Sequence, residues 1–316
     1  MDISIIVSTF NRSHNLPECV QYLAAVENTE HFQWEVLIVD NNSTDATKSV
    51  VESLQKQYPM INIRYLFEKS QGLSFARNCG IRESQAEYLI FIDDDIHVTP
   101  KWLAAIYNRF VSEQCDAIAG RIYVESPQEF PNWLVPELYG FLGHHDFGDK
   151  AFRMNGRTEF PFGGNMAIRR DITEQLGGFH TGMGRKGEGN KKEDLFKGEE
   201  TLFFHLMTDN NGVIWYEPNA IVRHNILPYQ LKKKFFLTIH YNAGYQKALF
   251  DNTPYGRTLF GVPLFLYLQY VRNLGKYLWQ VITKGPNAAF RQRMTVNHFL
   301  GQIISYAKKY LNKNKT

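Results

Sequence analysis

The chain has 316 residues, 44% hydrophobic and 14% aromatic, enough apolar material for one large α/β domain plus an appended segment and too much for a disordered protein. Its three cysteines, Cys19, Cys79 and Cys115, form neither a CxxC motif nor an even framework, which fits buried thiols in a reducing cytoplasm and excludes a disulfide-stapled fold. The net charge of +3 conceals a division: residues 1–230 carry 21 Lys/Arg against 31 Asp/Glu, whereas residues 231–316 carry 14 against a single acid, Asp251. The expected organisation is therefore an acidic catalytic domain over 1–230 and a basic segment over 231–316 suited to an anionic surface.

No secretory leader is expected, because the apolar run after Asp2 covers only about five residues before Ser8-Thr9-Phe10-Asn11-Arg12. Residues 3–8 predict a buried strand and about 14–26 a helix. Residues 35–40 (EVLIVD) predict a second strand and 44–57 a second helix, with Asn41, Asn42 and Ser43 available to cap it. A third strand over 61–66, a third helix over 72–84 and a fourth strand over 88–93 (YLIFID) follow. Residues 100–112 then predict a helix with Pro100 suited to its start. Short apolar runs alternating with helices imply an α/β fold with a mixed, mostly parallel sheet covered by helices on both faces. Ligands in such sheets sit at the carboxyl ends of the strands, and each polar cluster falls at one. Residues 126–163 are aromatic and contain Pro and Gly, suiting a flexible or substrate-facing insertion; helical character returns at 199–207 and dominates from 231.

The sharpest chemical signal is Asp93-Asp94-Asp95 at the end of an apolar strand. Three adjacent carboxylates repel one another, and burying them is unfavourable by several kcal/mol unless a cation compensates. A divalent cation, Mn²⁺ or Mg²⁺, holding a diphosphate suits the chemistry, because such ions take one or two carboxylates plus phosphate oxygens. A solvated acidic turn is the simpler alternative, and the position after YLIFI argues against it. Asp40, ending the second strand, suits a base or ribose, or equally an Asx turn capping the next helix. GLSFARNCG puts Arg77 and Asn78 on a Gly-bounded helix, where an Arg is ordinarily solvated. Glu199 and Glu200 open an apolar helix with Leu202, Phe203 and Leu206, where the helix dipole favours anions. Adjacent helical positions point about 100° apart, so only one of the two should face a reaction. The charged segment 185–200 suits a loop that orders on ligand binding, or a plain solvated loop.

SIIVSTFNR (4–12), VDNNSTD (39–45), GLSFARNCG (72–80), FIDDDIHVTP (91–100), PFGGNMAIRR (161–170), LGGFHTGMG (176–184) and GEE (198–200) resemble, in order and spacing, the blocks of the family 2 glycosyltransferases. The likeness spans roughly residues 1–225 and leaves the tail uncovered. It implies the nucleotide-diphospho-sugar transferase fold of type A. It also implies inverting, metal-dependent transfer of a sugar to an acceptor hydroxyl, in cell-surface polysaccharide or glycolipid synthesis. It assigns Thr9, Asn11 and Asp40 to base and ribose, with Arg12, Arg77, Asp93 and Asp94 also on the nucleotide-sugar side. Asp93 and Asp95 match the outer members of a DxD motif, with Asp95 the leading metal ligand. Gly163, Gly164 and Asn165 would line the donor-sugar and acceptor side. His224 matches a histidine that completes the metal shell in some members, although a lone His is more often structural. Glu199-Glu200 stands where the family has Glu-Asp, whose second member is commonly the base. Glu200, one methylene longer, is the expected base and Glu199 its support.

Processive synthases of this fold carry a QxxRW sequence and long membrane spans, and this sequence has neither, so one sugar per encounter is expected. A nucleotidyltransferase would need a Gly-rich basic loop after the first strand, and a dinucleotide oxidoreductase a GxGxxG there; STFNRSHN is neither. The rival from outside enzymology is a catalytically silent, membrane-associated scaffold. In the tail, the uncharged stretch 258–271 is 14 residues long, too short for a hydrocarbon core of about 30 Å. Tyr267, Tyr270, Val271, Leu274, Tyr277, Leu278, Val281 and Ile282 recur at helical spacing among Arg272, Lys276 and Lys284. That pattern suits a helix lying on the inner face of the cytoplasmic membrane, or a lid packed on the catalytic domain.

Overall fold

The computed structural model describes residues 1–187 and 198–313, which divide into two compact units: residues 1–127, 137–187 and 198–226, and residues 128–136 and 227–313. In the first, β1 (Ile3–Thr9), α1 (Leu16–Ala24), β2 (Trp34–Asp40), α2 (Thr47–Gln57), β3 (Asn62–Phe67), α3 (Leu73–Glu83) and β4 (Tyr88–Asp93) alternate as the sequence predicts. Then come β5 (Ile96–Val98), α4 (Trp102–Glu113), β6 (Ala117–Glu125), β7 (Phe152–Arg153), β8 (Met166–Arg169), α5 (Arg170–Gln175), α6 (Glu199–Asp209) and β9 (Ile214–Asn225). The strands form one sheet in the order β3-β2-β1-β4-β8-β6-β9-β5, with β7 also on β9. The first four are mutually parallel, β8 is antiparallel to β4 and β6, and β9 is again parallel to β6. This is the mixed, mostly parallel sheet expected.

Both faces are apolar because alternate residues point to opposite sides. Ile3, Ile5, Val7, Val36 and Ile38 join one core cluster, and Ile6, Leu37, Val39, Leu89 and Phe91 the other. Gly80 lets α3 lie close on β1, since a Cβ there would meet the Ile6 side chain at 2.5 Å. Register sets Thr9 opposite Asp40 and Ser8 opposite Asp93, so three strands end level.

One local expectation fails: Asn41, Asn42 and Ser43 do not cap α2. The helix begins later, at Thr47, whose backbone N–H donates to Asp45 Oδ1 at 3.0 Å. Asn41 instead crosses to the next loop, donating to Ser70 O at 2.7 Å and accepting from Gly72 N at 2.7 Å. Gly72, with φ of 142°, turns the chain into α3, in backbone territory that L side chains disfavour.

The second unit contains α7 (Lys233–Phe250), a hairpin of β10 (Thr258–Leu259) and β11 (Val262–Pro263), α8 (Leu264–Ala288) and α9 (Phe290–Lys313). Helices α7 and α9 meet backbone to backbone. A Cβ on Gly244 would lie 1.9 Å from His298 O, and one on Gly301 would lie 2.1 Å from Tyr241 O. Asp251, just beyond α7, accepts from Tyr255 Oη at 2.8 Å, from Thr253 N at 2.8 Å and from Tyr306 Oη of α9. The stretch 258–271 is not one helix: the hairpin occupies its first part. Among the described residues, no helix is long and apolar enough to cross a membrane.

Candidate active site

The level ends of β1, β2 and β4 open on a cleft with about 570 Å³ of empty space, lined by Thr9, Arg12, Asn41, Asp93, Asp94 and Arg185 among others. Asp94 anchors its floor. It accepts from Thr9 Oγ1 at 2.6 Å, Arg12 Nη1 at 3.2 Å and Asn15 Nδ2 at 3.2 Å. Asp40 accepts from Ser43 N at 2.8 Å and from Tyr65 Oη at 2.8 Å. Asn11, in the left-handed region at φ 51°, donates its backbone N–H to Ser43 Oγ at 2.9 Å and accepts Thr44 N at 2.7 Å. Thus Asn11 and Asp40 jointly shape the loop after β2.

The three aspartates sit in different fields. Burial pushes Asp94 up to about 6, Arg12 opposing and Asp95 adding to the rise. Asp93 is raised by burial against the pull of Arg77. Asp95 is buried too, yet the charges of His224 and Arg12 hold it well below the usual carboxylate range. Arg12 Nη1 lies 2.9 Å from Asp95 Oδ2. Asp95 Oδ1 is buried with no hydrogen-bond donor, and His224 Nε2 faces it at 3.5 Å. That proximity follows from strand pairing, because Ile96, next to Asp95, is opposite His224. Burial would lower the His224 pKa, but the Asp95 carboxylate outweighs it and raises the value.

These residues fit a divalent cation: the unsatisfied Asp95 oxygen is a carboxylate donor of the kind that Mn²⁺ and Mg²⁺ take, and the His224 nitrogen beside it is a further donor. Among the described residues no three His, Cys, Asp or Glu side chains converge on one point. An ion held by one or two carboxylates and by substrate phosphates needs no such trio.

Arg77 is fully buried, contrary to the ordinary expectation for a helix Arg, and its Nη1 lies 3.1 Å from both Glu199 Oε1 and Glu200 Oε1. Burial would lower its pKa, but Glu200, Glu199 and Asp93 together raise it, so this cation links the glutamates electrostatically to the aspartate turn. The two glutamates differ in access: the Glu199 side chain is 2% exposed and that of Glu200 22%. Gly163 lies against the pair, where a Cβ would stand 2.1 Å from Arg77 Nη2 and 2.2 Å from Glu200 Oε1. Gly164 instead faces Ile96 and Ile122.

Asn165 is placed differently from its neighbours. It is fully buried, accepts from Trp102 Nε1 at 2.8 Å, and donates to Arg121 O at 3.0 Å and Ala220 O at 2.8 Å. Its amide is thereby used in tying α4, β6 and β9 together, which makes it a strut beneath the site.

Arg185, Asn15 and Tyr65 belong to the site and escaped the sequence reading. Arg185 lines the cleft, and its charge lowers the pKa of Asp93 and Asp95. Its signal was its place at the head of the charged segment 185–200, of which 188–197 lie outside the described residues. Asn15 and Tyr65 carry no local signal, since each acts on a carboxylate distant in sequence.

An α/β sheet whose parallel strands end level at an aspartate turn, with a glutamate pair tied to that turn through Arg77, is the arrangement of a glycosyltransferase of the type A fold. Solved structures agree. The mannosyltransferase PcManGT of Pyrobaculum calidifontis, in complex with GDP-Man and Mn²⁺, superposes with a TM-score of 0.59 at 17% identity, over 98% of this chain and 86% of its own. TarS 1–349 of S. aureus, in complex with UDP-GlcNAc, superposes with a TM-score of 0.55 at 15% identity, over 100% of this chain and 92% of its own. At those identities they establish the fold. The profile described as glycosyl transferase family 2 matches residues 4–177, and the chain belongs to that family. Among curated relatives, the succinoglycan biosynthesis protein ExoM of Rhizobium meliloti is 27% identical over 227 residues, 72% of this chain and 67% of its own. A glucosyl-dolichyl phosphate glucuronosyltransferase of Haloferax volcanii is 21% identical over 256 residues, 79% of this chain and 78% of its own.

Proposed function

We propose that this glycosyltransferase moves a single sugar, with inversion, from a nucleotide-diphospho-sugar to a hydroxyl of a glycan or lipid-linked acceptor. Residues 1–230 would perform the transfer, using Mn²⁺ or Mg²⁺, and residues 231–316 would meet an anionic membrane at its cytoplasmic face, in cell-surface polysaccharide or glycolipid synthesis. The observation that carries the chemistry is the buried Asp95 carboxylate, with one oxygen unsatisfied and facing His224 at 3.5 Å. Asp95 and His224, with Asp93, would hold the cation, which when bound neutralises charge on the departing diphosphate. That PcManGT binds GDP-Man and Mn²⁺, and TarS UDP-GlcNAc, supports the class of donor.

The chain's own residues account for the rest. Asp40 and Asn11 shape a seat for base and ribose, and Arg12 fixes the aspartate turn from one side. Arg185 supplies positive charge where phosphates would lie. Glu200, the more accessible glutamate, takes the proton from the acceptor hydroxyl as it attacks the anomeric carbon, while Arg77 aims its carboxylate. A single displacement needs one base and no protein nucleophile. The test is nucleotide release from a panel of nucleotide sugars, with Mn²⁺, with excess EDTA, and in Asp95→Asn. EDTA and the substitution should each lower turnover about 10³-fold or more, since metal stabilisation of a leaving group is worth several kcal/mol. Full turnover in EDTA with verified metal-free protein would remove the cation from the reading. No turnover of any donor would leave a silent scaffold.

A further inference from the structure

Helix α8 has two apolar sides, and the eight residues that recur at helical spacing divide between them, Val271, Leu278 and Ile282 falling on the outer one. Tyr267, Tyr270, Leu274, Tyr277 and Val281 are half-buried, on the side that carries Leu266 and Asn273. Leu266 is buried with Tyr306 of α9, and Asn273 bonds Gln292 of α9 at 2.9 Å. The second side is bare. Leu264, Leu268, Val271, Leu278, Trp279 and Ile282 are 41%, 73%, 65%, 52%, 66% and 81% exposed. At about 100° per residue these six fall within an arc of roughly 100°, with Gly275 at its centre. Arg272 and Lys276, both exposed, flank one edge of the stripe. Phe260, 67% exposed at the tip of the hairpin that leads into α8, extends the apolar surface at its start.

We infer that this stripe, with the Phe260 tip, is an in-plane docking surface for an anionic lipid bilayer. The inference deepens the membrane element of the reading above and rests on it. Three observations select lipid as the occupant. An apolar arc edged by cations is the form of a helix that lies in the headgroup boundary. Residues 231–316 carry 14 cations and one acid, which complements an anionic leaflet and repels a second copy of the same segment. The helix is bent at Gly285, φ 84°, before Pro286, and does not have the apolar length to cross a bilayer, so it lies flat.

The test uses the full chain and sedimentation with vesicles of phosphatidylglycerol and phosphatidylcholine, or of phosphatidylcholine alone. Wild type should sediment with the anionic vesicles at low salt, leave them as salt rises, and bind the neutral ones weakly. The double variant Trp279→Glu/Ile282→Glu, and separately Arg272→Glu/Lys276→Glu, should each lose at least about tenfold in partitioning, with circular dichroism and melting temperature unchanged. No binding of wild type to anionic vesicles at low salt overturns the inference, and so does equal binding by Trp279→Glu/Ile282→Glu. A wild-type dimer without lipid that this variant converts to monomer assigns the face to a second copy and also overturns it. Nucleotide release in solution separates the readings: vesicle binding without turnover removes the transfer chemistry alone, turnover without wild-type vesicle binding removes the membrane element and the docking surface together, and equal vesicle binding by Trp279→Glu/Ile282→Glu removes the docking surface alone.

Discussion

In the sheet-bearing unit Arg77, Asp94, Asp95 and Glu199 are buried beside opposite charges, whereas the helical unit leaves Arg272 and Lys276 in solvent beside bare Leu268, Trp279 and Ile282. Each arrangement is unfavourable for an isolated protein. Even a paired buried charge carries a desolvation cost that its partner only partly offsets, and apolar surface left wet forgoes about 25 cal/mol per Å². The contrast fits the two kinds of partner proposed above. The buried Asp95 carboxylate, with one oxygen unsatisfied, suits the proposed cation. The bare apolar stripe edged by cations suits the proposed anionic surface. The difference also separates the assays: chemistry in the first unit should respond to metal, and association through the second to salt.

Substitutions within the first unit sharpen this contrast most. Glu200→Gln should depress turnover by roughly 10²–10⁴-fold, the usual contribution of a general base, with donor affinity nearly unchanged and vesicle binding untouched. Glu199→Gln should act mainly on stability, because its side chain is buried against Arg77. Single-turnover kinetics and thermal melts on both variants check the division, and a dead Glu199→Gln beside an active Glu200→Gln would reverse it.

A smaller effect is expected from Gly163→Ala. The added methyl would occupy the space of Arg77 Nη2 and Glu200 Oε1, the far ends of two side chains that can move aside. Turnover should therefore fall about 10²-fold, the penalty for displacing a catalytic group by about 1 Å, with melting temperature little changed. A large loss of stability instead would mean that the Arg77 pair cannot yield.

The smallest effect lies in the helical unit. Asp251→Asn weakens the carboxylate that Tyr255, Tyr306 and Thr253 hold together. For so accessible a group the expected loss is about 1 kcal/mol. These hydrogen bonds hold the Asp251 carboxyl below its ordinary range. The stability they contribute is therefore complete above the unfolded value of about 4 and drains away as pH falls below it. Denaturant melts at pH 7 and pH 3 should show the variant's full deficit at the higher pH and a smaller one at the lower.

Much of the fold was legible because β1, β2 and β4 are short apolar runs that stop at polar residues, and a run of that kind has little choice but to be a buried strand. What was not legible depends on partners distant in sequence. Arg77 reads as a surface helix residue until Glu199 and Glu200, more than a hundred positions away, fold onto it. Asn165 reads as a donor contact, but Gly120 leaves room for its amide between two strands, where a Cβ would approach Nδ2 to 2.0 Å. The helical spacing of α8 gathered residues from both of its apolar sides, because periodicity cannot say which of two apolar sides meets α9.

The glycines of α7 and α9 have a mechanical consequence. With Gly244 against His298 O and Gly301 against Tyr241 O, the two helices have no side-chain cushion at the crossing and cannot slide without backbone collision. Sliding and rolling of packed helices ordinarily rely on side chains changing rotamer, and at these two contacts there is no side chain to do so. The pair should behave as a stiff plate on which α8 is mounted through α9. An apolar stripe on a compliant base would fold inward and hide itself, whereas one on a stiff base stays presented. Any side chain at Gly244 or Gly301 would loosen the plate.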